Sequence, residues 1–180
     1  MRYEIRISGE GGQGVILAGI ILAEAAIEDG KNVVQTQAYG PESRGGATKS
    51  EVIISDQEID YPKATRLDLL LALTQEACNK HQDDLKEGGM LVVEASRVAA
   101  FPQSRCVVYR LPFLERARET AGKALFANIV ALGAVVALSG IVSLEAMERA
   151  VLTRAPKGTG EQNLQALEAG FELVRIARGV

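Results

Sequence analysis

The sequence has few aromatic residues and no excess of positive charge. Of its 180 residues, 4% are aromatic, none is tryptophan, and the formal net charge is −3. Proteins that bind single-stranded nucleic acids stack bases on aromatic side chains, and basic patches attract phosphate backbones. We therefore expect no nucleic-acid partner.

Residues for metal or nucleophilic chemistry are equally scarce. The cysteines are Cys78 and Cys106, which form no CxxC pair, and His81 is the one histidine. An iron–sulfur cluster generally needs four ligands, so we expect no metal, no cluster and no catalytic residue in this chain. Unpaired thiols are typical of a reducing cytoplasm, where we expect the protein to act. His81 stands beside Lys80 and Gln82, and we expect it on a solvated helix surface.

Long hydrophobic runs are missing too. The longest apolar stretch, residues 124–138, is shorter than the ~20 residues of a membrane span and contains Asn128. It predicts a buried helix and no membrane partner. The chain starts directly with a predicted strand, so we expect no signal peptide. With 47% hydrophobic residues, the sequence predicts one domain over residues 1–180.

The most informative stretch present is a glycine-rich turn at residues 8–14, between a predicted strand (3–7) and a predicted helix (15–26). Glycine adopts positive φ without steric cost, and bare N–H groups at a helix N-terminus attract anions. The turn therefore predicts a cradle for a phosphate, a carboxylate or a neighbouring backbone, although Glu10 would repel a phosphate. Its candidate binding residues are Gly9, Gly11, Gly12, Gln13 and Gly14.

The G-x-G-x-x-G spacing of Gly9, Gly11 and Gly14 is also typical of dinucleotide sites. Such sites place an acid ~20 residues further on, at the end of the second strand, where it binds the ribose. Here that strand ends in Gln37, and the nearest acid is Glu42 in the next loop. This argues against a dinucleotide. Two alternatives remain. The turn binds no ligand, or it faces another subunit or a cofactor that such a subunit holds.

A second glycine-rich loop follows the second strand and leaves the same edge of the predicted sheet. Arg44 offers a planar donor fork suited to a carboxylate or phosphate, and ligands bind at this edge in open α/β sheets. Alternatively, Glu42 and Arg44 only pair with their neighbours. The candidate residues of this loop are Tyr39, Gly40, Pro41, Glu42, Ser43, Arg44, Gly45 and Gly46.

The remaining pattern alternates strands and helices. Strands are predicted at 31–37, 47–55, 68–73, 90–95 and 106–111. A helix is predicted at 75–86, ended by Gly88 and Gly89, and helices follow from Phe113 with breaks near Gly122, Gly140 and 156–160. The order predicts a three-layer α/β fold with a mostly parallel sheet and helices on both faces. Because no helix separates it from the preceding strand, 47–55 should pair antiparallel or lie at an edge.

The turn at residues 156–160 is a third, weaker candidate site. Thr159 can cap the last helix through its hydroxyl, with Gln162 completing a capping box. Lys157 would then stand near a helix N-terminus, where an anion can bind. A well-capped loop without a ligand is the alternative.

Residues 11–14 and the loop at 39–46 together resemble the gamma subunit of 2-oxoacid:ferredoxin oxidoreductases. The resemblance covers nearly the whole chain and continues through residues 68–76, 128–133 and 156–159. The run Asp60-Tyr61-Pro62 and the turn at 156–159 are most similar to the 2-oxoglutarate type. Pyruvate, branched-chain and indolepyruvate enzymes are the alternatives within the family.

The resemblance implies a Rossmann-like domain in a complex that oxidatively decarboxylates a 2-oxoacid to an acyl-coenzyme A and reduces ferredoxin. It implies thiamine diphosphate, Mg, iron–sulfur clusters and coenzyme A in the complex, none held by this chain alone. The implied partners are alpha and beta subunits and a small ferredoxin-like subunit. The glycine loops would line the subunit boundary or the approach of coenzyme A, with Asn128, Lys157 and Thr159 as weaker candidates. Rival hypotheses are a free-standing dinucleotide-dependent oxidoreductase and a nucleotide- or coenzyme A-binding module.

Overall fold

A six-stranded sheet forms the centre of the fold. The computed structural model describes residues 1–40, 47–102 and 105–180. Within them the strands are β1 (Arg2–Glu10), β2 (Asn32–Tyr39), β3 (Ala47–Ser55), β4 (Leu67–Ala72), β5 (Leu85–Glu94) and β6 (Val107–Leu111). Their order is β2-β3-β1-β4-β5-β6. β1, β4, β5 and β6 pair in parallel, and β3 is antiparallel to both its neighbours. This confirms the predicted, mostly parallel sheet.

Helices cover the two faces of the sheet unequally. They are α1 (Val15–Glu28), α2 (Gln75–His81), α3 (Phe113–Ala121), α4 (Ala127–Ser139), α5 (Leu144–Arg154) and α6 (Gly160–Arg178). Buried residues of α1 and α3 to α6 share one hydrophobic cluster on the first face. Of the helices in the described ranges, only α2 contributes to the cluster on the second face. The three-layer α/β architecture is confirmed. No helix in the described ranges is long and apolar enough to cross a membrane.

β4 shows why the central strands are so apolar. Leu69 and Leu71 belong to the first cluster, whereas Leu70 and Ala72 belong to the second. Successive side chains of a strand point to opposite faces, so a strand covered on both sides has no solvent-facing position. The continuous apolar run follows from this burial, as the sequence predicts.

The connections create a crevice between β1 and β4. From β1 the chain passes through α1 to β2 on one side, and from β4 it passes through α2 to β5 on the other. Both crossovers are right-handed, and they run toward opposite sides of the sheet. α1 and α2 therefore lie on opposite faces of the sheet. Ligands of open α/β sheets bind at such a switch point, outside the carboxyl ends of the strands.

β3 confirms one prediction and refines it. It pairs antiparallel, as expected, but it lies inside the sheet between β2 and β1, and β2 forms the edge. β2 consequently runs in the same direction as β1. Tyr39 and Gly40 therefore leave the sheet at the carboxyl ends of the parallel strands, where the glycine turn also lies. The rest of that predicted loop, Pro41 to Gly46, lies outside the described residues.

The prediction for residues 75–89 is wrong in part. α2 ends at His81, a 3₁₀ turn covers Gln82–Asp84, and β5 already begins at Leu85. Gly88 and Gly89 therefore lie inside a strand and do not end a helix. The β4–β5 register shifts between Leu67 and Leu69, and Gly88 has φ 76°. A glycine at positive φ absorbs the extra residues of such a bulge.

Two glycines bring α4 and α6 into backbone contact. A Cβ on Gly170 would lie 2.1 Å from the Val130 carbonyl oxygen, and one on Gly133 would lie 2.1 Å from the Leu167 carbonyl oxygen. Any larger residue at either position would force the helices apart. The predicted breaks after α3 and α4 are confirmed, because Gly122 and Gly140 end these helices in the left-handed conformation.

Candidate functional site

The glycine turn between β1 and α1 is closed by Gln13. The Gln13 backbone N–H donates to the Glu10 carbonyl at 3.2 Å. In return, the Glu10 N–H donates to the Gln13 Oε1 at 2.8 Å. Gln13 therefore fixes the shape of the turn through its side chain.

Three glycines meet separate requirements in this turn. Gly12 and Gly14 have φ 88° and 73°, and Gly14 is the N-cap of α1. Gly9 is needed for close packing, because a Cβ there would lie 2.3 Å from the Gln13 Oε1. Gly12 stands outside the G-x-G-x-x-G positions, so that pattern alone does not reveal its positive φ.

Asn128, at the start of α4, contacts the turn directly. It is 8% exposed, and its Nδ2 donates to the Gly14 carbonyl at 3.4 Å. A Cβ on Gly14 would lie 2.3 Å from this nitrogen. The structure thus brings Asn128, one of the weaker candidates, together with the glycine turn.

A cavity of about 310 Å³ opens beside the turn, at the crevice between the carboxyl ends of β1, β4 and β5. Its lining includes Glu10, the turn residues 11–13, Glu94, Arg97 and Asn128. The first turn of α1 carries no acidic side chain, so nothing there offsets the partial positive charge of the helix N-terminus. The helix N-terminus itself therefore suits an anion.

Arg97 changes the interpretation of Glu10. Its Nη1 lies 3.3 Å from the Glu10 Oε1, so the acid of the turn is paired. The repulsion of a phosphate that the sequence predicts is thereby reduced. Sequence reasoning missed Arg97, although its position just beyond the predicted strand at residues 90–95 is the signal that could have found it.

Glu94 holds the wall of the cavity in place. This carboxylate is 2% exposed and accepts from the Ser96 N–H and hydroxyl at 3.0 and 2.8 Å. Its Oε2 accepts from the Leu114 N–H at 3.1 Å, which caps the start of α3. Glu94 has the contacts of a structural anchor.

A second cavity, of about 210 Å³, extends from the glycine turn to the loop after α5. Gly12, Leu125 and Asn128 line both cavities, and Leu125 is 74% exposed between them. Thr159 lines the far end of the second cavity. Lys157, by contrast, is exposed and outside the lining of both cavities.

The capping box predicted at Thr159 is wrong. The Thr159 hydroxyl donates to the Pro156 carbonyl at 2.7 Å and accepts from the Asn163 Nδ2 at 3.1 Å. It makes no capping bond to α6. The Thr159 oxygen accepts from a side chain of α6 and from none of its backbone N–H groups. The Thr159 N–H donates to the Pro156 carbonyl at 3.0 Å, so the donor that Gln162 would need for a capping box is already engaged.

Tyr39 and Gly40 lie apart from the glycine turn. They line a smaller cavity of about 130 Å³ with Ser8, Lys80 and His81, and it shares no lining residue with the other two. The start of β3 separates them, since Ala47 pairs with Glu10 on one side and Thr48 pairs with Tyr39 on the other. Tyr39 and Gly40, the described part of the second loop, thus lie at the same end of the strands as the glycine turn, but they line neither of the two cavities beside it.

His81 is buried, contrary to the prediction of a solvated position. It is 6% exposed, with Nδ1 3.3 Å from the Arg6 guanidinium. Burial, followed by the charges of Arg6, Lys49 and Lys80, lowers its pKa from 6.5 to about 4, against the opposing influence of Asp84. The sequence misleads here because it does not show that α2 packs over β1.

Arg6 is the centre of this buried cluster. Its Nε and Nη2 bond the Glu51 carboxylate at 2.9 and 2.8 Å, and its Nη1 bonds Asp84. Burial raises the pKa of Glu51, but Lys49 and Arg6 outweigh this effect and leave it below its usual value. The cluster is a charge network on the second face of the sheet, and sequence reasoning missed it.

Lowering the pH from about 7 to about 5 should destabilise the folded chain through His81 by on the order of 1–2 kcal/mol. Burial keeps His81 neutral down to about pH 4, whereas the unfolded chain binds a proton below about 6.5. The stabilisation is therefore complete above pH 6.5 and is lost as the pH falls toward 4. Urea unfolding at both pH values measures this loss.

The matched control is His81→Asn, whose amide keeps an acceptor for Arg6 but does not titrate. Carboxylates contribute equally to both proteins, so the difference between the two pH dependences isolates His81. Equal pH dependences would contradict the assignment.

The site as a whole is suited to binding. The described residues contain no group of three or more His, Cys, Asp and Glu side chains that could hold a metal. The carboxylates at the cavity, Glu10 and Glu94, are both engaged with other groups. The crevice offers backbone donors, a helix N-terminus and one guanidinium.

Known proteins are similar to this chain in sequence and in fold. The pyruvate ferredoxin/flavodoxin oxidoreductase family matches residues 4–173. The 2-oxoglutarate synthase subunit KorC of Methanocaldococcus jannaschii is 51% identical, over 97% of this chain and 95% of that protein.

Two solved structures extend the comparison. The gamma subunit of a keto/oxoacid ferredoxin oxidoreductase from Geobacter sulfurreducens is 54% identical, with a TM-score of 0.90 over 98% of each chain. A 2-oxoglutarate:ferredoxin oxidoreductase from Magnetococcus marinus, with 2-oxoglutarate, coenzyme A and succinyl-CoA bound, is 25% identical with a TM-score of 0.86. That match covers 97% of this chain but 31% of the Magnetococcus chain.

Proposed function

Because the chain belongs to the pyruvate ferredoxin/flavodoxin oxidoreductase family, as a subunit of a 2-oxoacid:ferredoxin oxidoreductase, we propose that it is the gamma subunit of a complex that oxidises 2-oxoglutarate. The observation that carries the substrate is the 51% identity to a 2-oxoglutarate synthase subunit over nearly the full length of both chains. Two hydrophobic clusters on one sheet support a single domain over residues 1–180.

The proposed complex converts 2-oxoglutarate and coenzyme A to succinyl-coenzyme A, carbon dioxide and a proton, and it passes the two electrons released to oxidised ferredoxin. We assign thiamine diphosphate, Mg and the iron–sulfur clusters to the alpha, beta and small ferredoxin-like partner subunits. The thiols of this chain do not fit a cluster, because Cys78 is buried among apolar residues and Cys106 bonds the Pro102 carbonyl. Free cysteines also support a cytoplasmic complex.

The role of this chain in the reaction is to bind and position. The bare N-terminus of α1 and the Arg97 guanidinium suit an anionic group such as a phosphate of coenzyme A. Asn128 holds the glycine turn from the α4 side, and Thr159 closes the far end of the second cavity. We propose that this surface lines the boundary with a partner subunit along the approach of coenzyme A. The loop at residues 39–46 stays a prediction for the same boundary.

The test is an anaerobic purification of the complex through a tag on this chain. We expect larger subunits with iron–sulfur absorbance to co-purify, and we expect coenzyme A-dependent viologen reduction with 2-oxoglutarate as the preferred substrate. Pyruvate, indolepyruvate and ketoisovalerate serve as matched alternatives in the same assay. Preference for one of them would correct the substrate alone. A chain without partners that binds a nucleotide would overturn the proposal in favour of a free-standing module.

A further inference from the structure

Among the residues that the structure describes, the edge strand β2 is exposed and pairs with another strand on one side only. It pairs with β3 without interruption from Asn32 to Tyr39, and within the described ranges no strand lies on its outer side. Five of its eight residues are exposed, and Tyr39 is 69% exposed. The outward N–H and C=O groups of such a strand are a template for pairing.

β2 also lacks the features that protect most edge strands. Natural edges are usually kept from pairing by charges, proline, bulges or short length. The eight residues of β2 contain no charge and no proline, and their register shows no bulge. The opposite edge, β6, has five residues and carries Arg110, whose guanidinium bonds the Ala95 and Val98 carbonyls. The contrast marks β2 as the edge open to a partner.

We propose that β2 pairs with β2 of a second copy of this chain, antiparallel about a two-fold axis through Thr36, so that two sheets join into one. Residues with equal offsets from Thr36 then face each other on the same side of the sheet. Val33 of one protomer lies opposite Tyr39 of its partner, and Gln35 lies opposite Gln37. These aromatic–β-branched and amide–amide pairs are favourable, and no like charges meet.

The surroundings of β2 favour a second copy as the occupant. Val33 packs against the first hydrophobic cluster and Val34 against the second, so a continued sheet extends both layers. The self-complementary sequence suits an isologous two-fold contact, which closes after two copies. The two sheets run in opposite directions, so the crevices at their carboxyl ends point away from each other. The contact is therefore separate from the glycine turn and its cavities, although it shares Tyr39 with the loop predicted at the subunit boundary.

Pairing of two eight-residue edges buries little surface, below the ~1,000 Å² of a robust interface. We accordingly expect a concentration-dependent dimer with a dissociation constant on the order of micromolar. Sedimentation equilibrium of the full chain over a concentration series measures it directly.

The test variant is Thr36→Lys, which places two ammonium groups face to face at the two-fold axis and should raise the dissociation constant roughly tenfold or more. The matched control is Val107→Lys on the other edge strand, where Val107 is 49% exposed. This control should dimerise like the wild type. Thermal melting checks that both variants fold.

Hydrogen exchange supplies a second readout, since alternate amides of β2 should gain protection with rising concentration. A wild-type chain that stays monomeric into the hundred-micromolar range would overturn the proposal. So would a dimer that Thr36→Lys leaves intact, or one without added protection in β2, because the contact would then lie elsewhere.

Discussion

Replacing Gly12 with valine should lower turnover of the assembled complex by roughly tenfold or more, equivalent to about 1.4 kcal/mol. In the isolated chain, a Cβ at Gly12 meets no atom within 4 Å. The new side chain therefore occupies open space beside both cavities of the glycine turn, where we propose that a partner or coenzyme A approaches. Viologen reduction by the purified complex measures the loss.

The backbone cost of this change needs its own control. Valine strains a backbone at φ 88° by about 1–3 kcal/mol. Gly30→Val carries the same cost, because Gly30 has φ 75° and no atom within 4 Å of its Cβ position, but it lies at the far end of α1. Both variants should lose similar stability in urea unfolding, and only Gly12→Val should lose activity. Equal turnover in the two complexes would refute the functional role of the turn.

Gly170→Ala should destabilise the fold by about 2–4 kcal/mol, although alanine is the better helix former. The added methyl group would lie 2.1 Å from the Val130 carbonyl oxygen and 2.6 Å from the Ala134 nitrogen. Both are backbone atoms of α4, so relief requires moving a whole helix. Urea unfolding of the purified chain gives the free-energy difference.

The matched control for this prediction lies on the same helix. Gly160→Ala meets only the Leu152 Cδ2, at 3.1 Å, and that side chain is 45% exposed and free to turn aside. It should leave stability unchanged or raise it slightly. If Gly170→Ala also proved neutral, the close approach of α4 and α6 would be wrong.

Local signals in the sequence were sufficient for most of the fold. Gly14 and Gly140 mark helix boundaries because they adopt a left-handed backbone, and β4 is apolar because both its faces are covered. The missing helix between β2 and β3 predicts that β3 pairs antiparallel or lies at an edge, and the first alternative is confirmed. These features depend on neighbouring residues, which a sequence displays.

Features that depend on distant parts of the chain were not predictable. His81 is polar in its own helix, and its burial follows from the packing of α2 on β1. Arg97 reaches the glycine turn only because β5 lies beside β4, which lies beside β1. In both cases packing across the sheet, between elements distant in sequence, decides the contact.

The antiparallel strand β3 affects how this fold can vary among relatives. A purely parallel sheet would continue from β2 into a helix, and any change in that connection would shift a helix. Here β2 ends at Tyr39 and β3 begins antiparallel to it at Ala47, so joining the two strands requires no crossover helix. Doubling the length of such a connection costs only about 0.6 kcal/mol in closure entropy. Evolution can therefore insert residues beside the binding edge without rebuilding the layers beneath it.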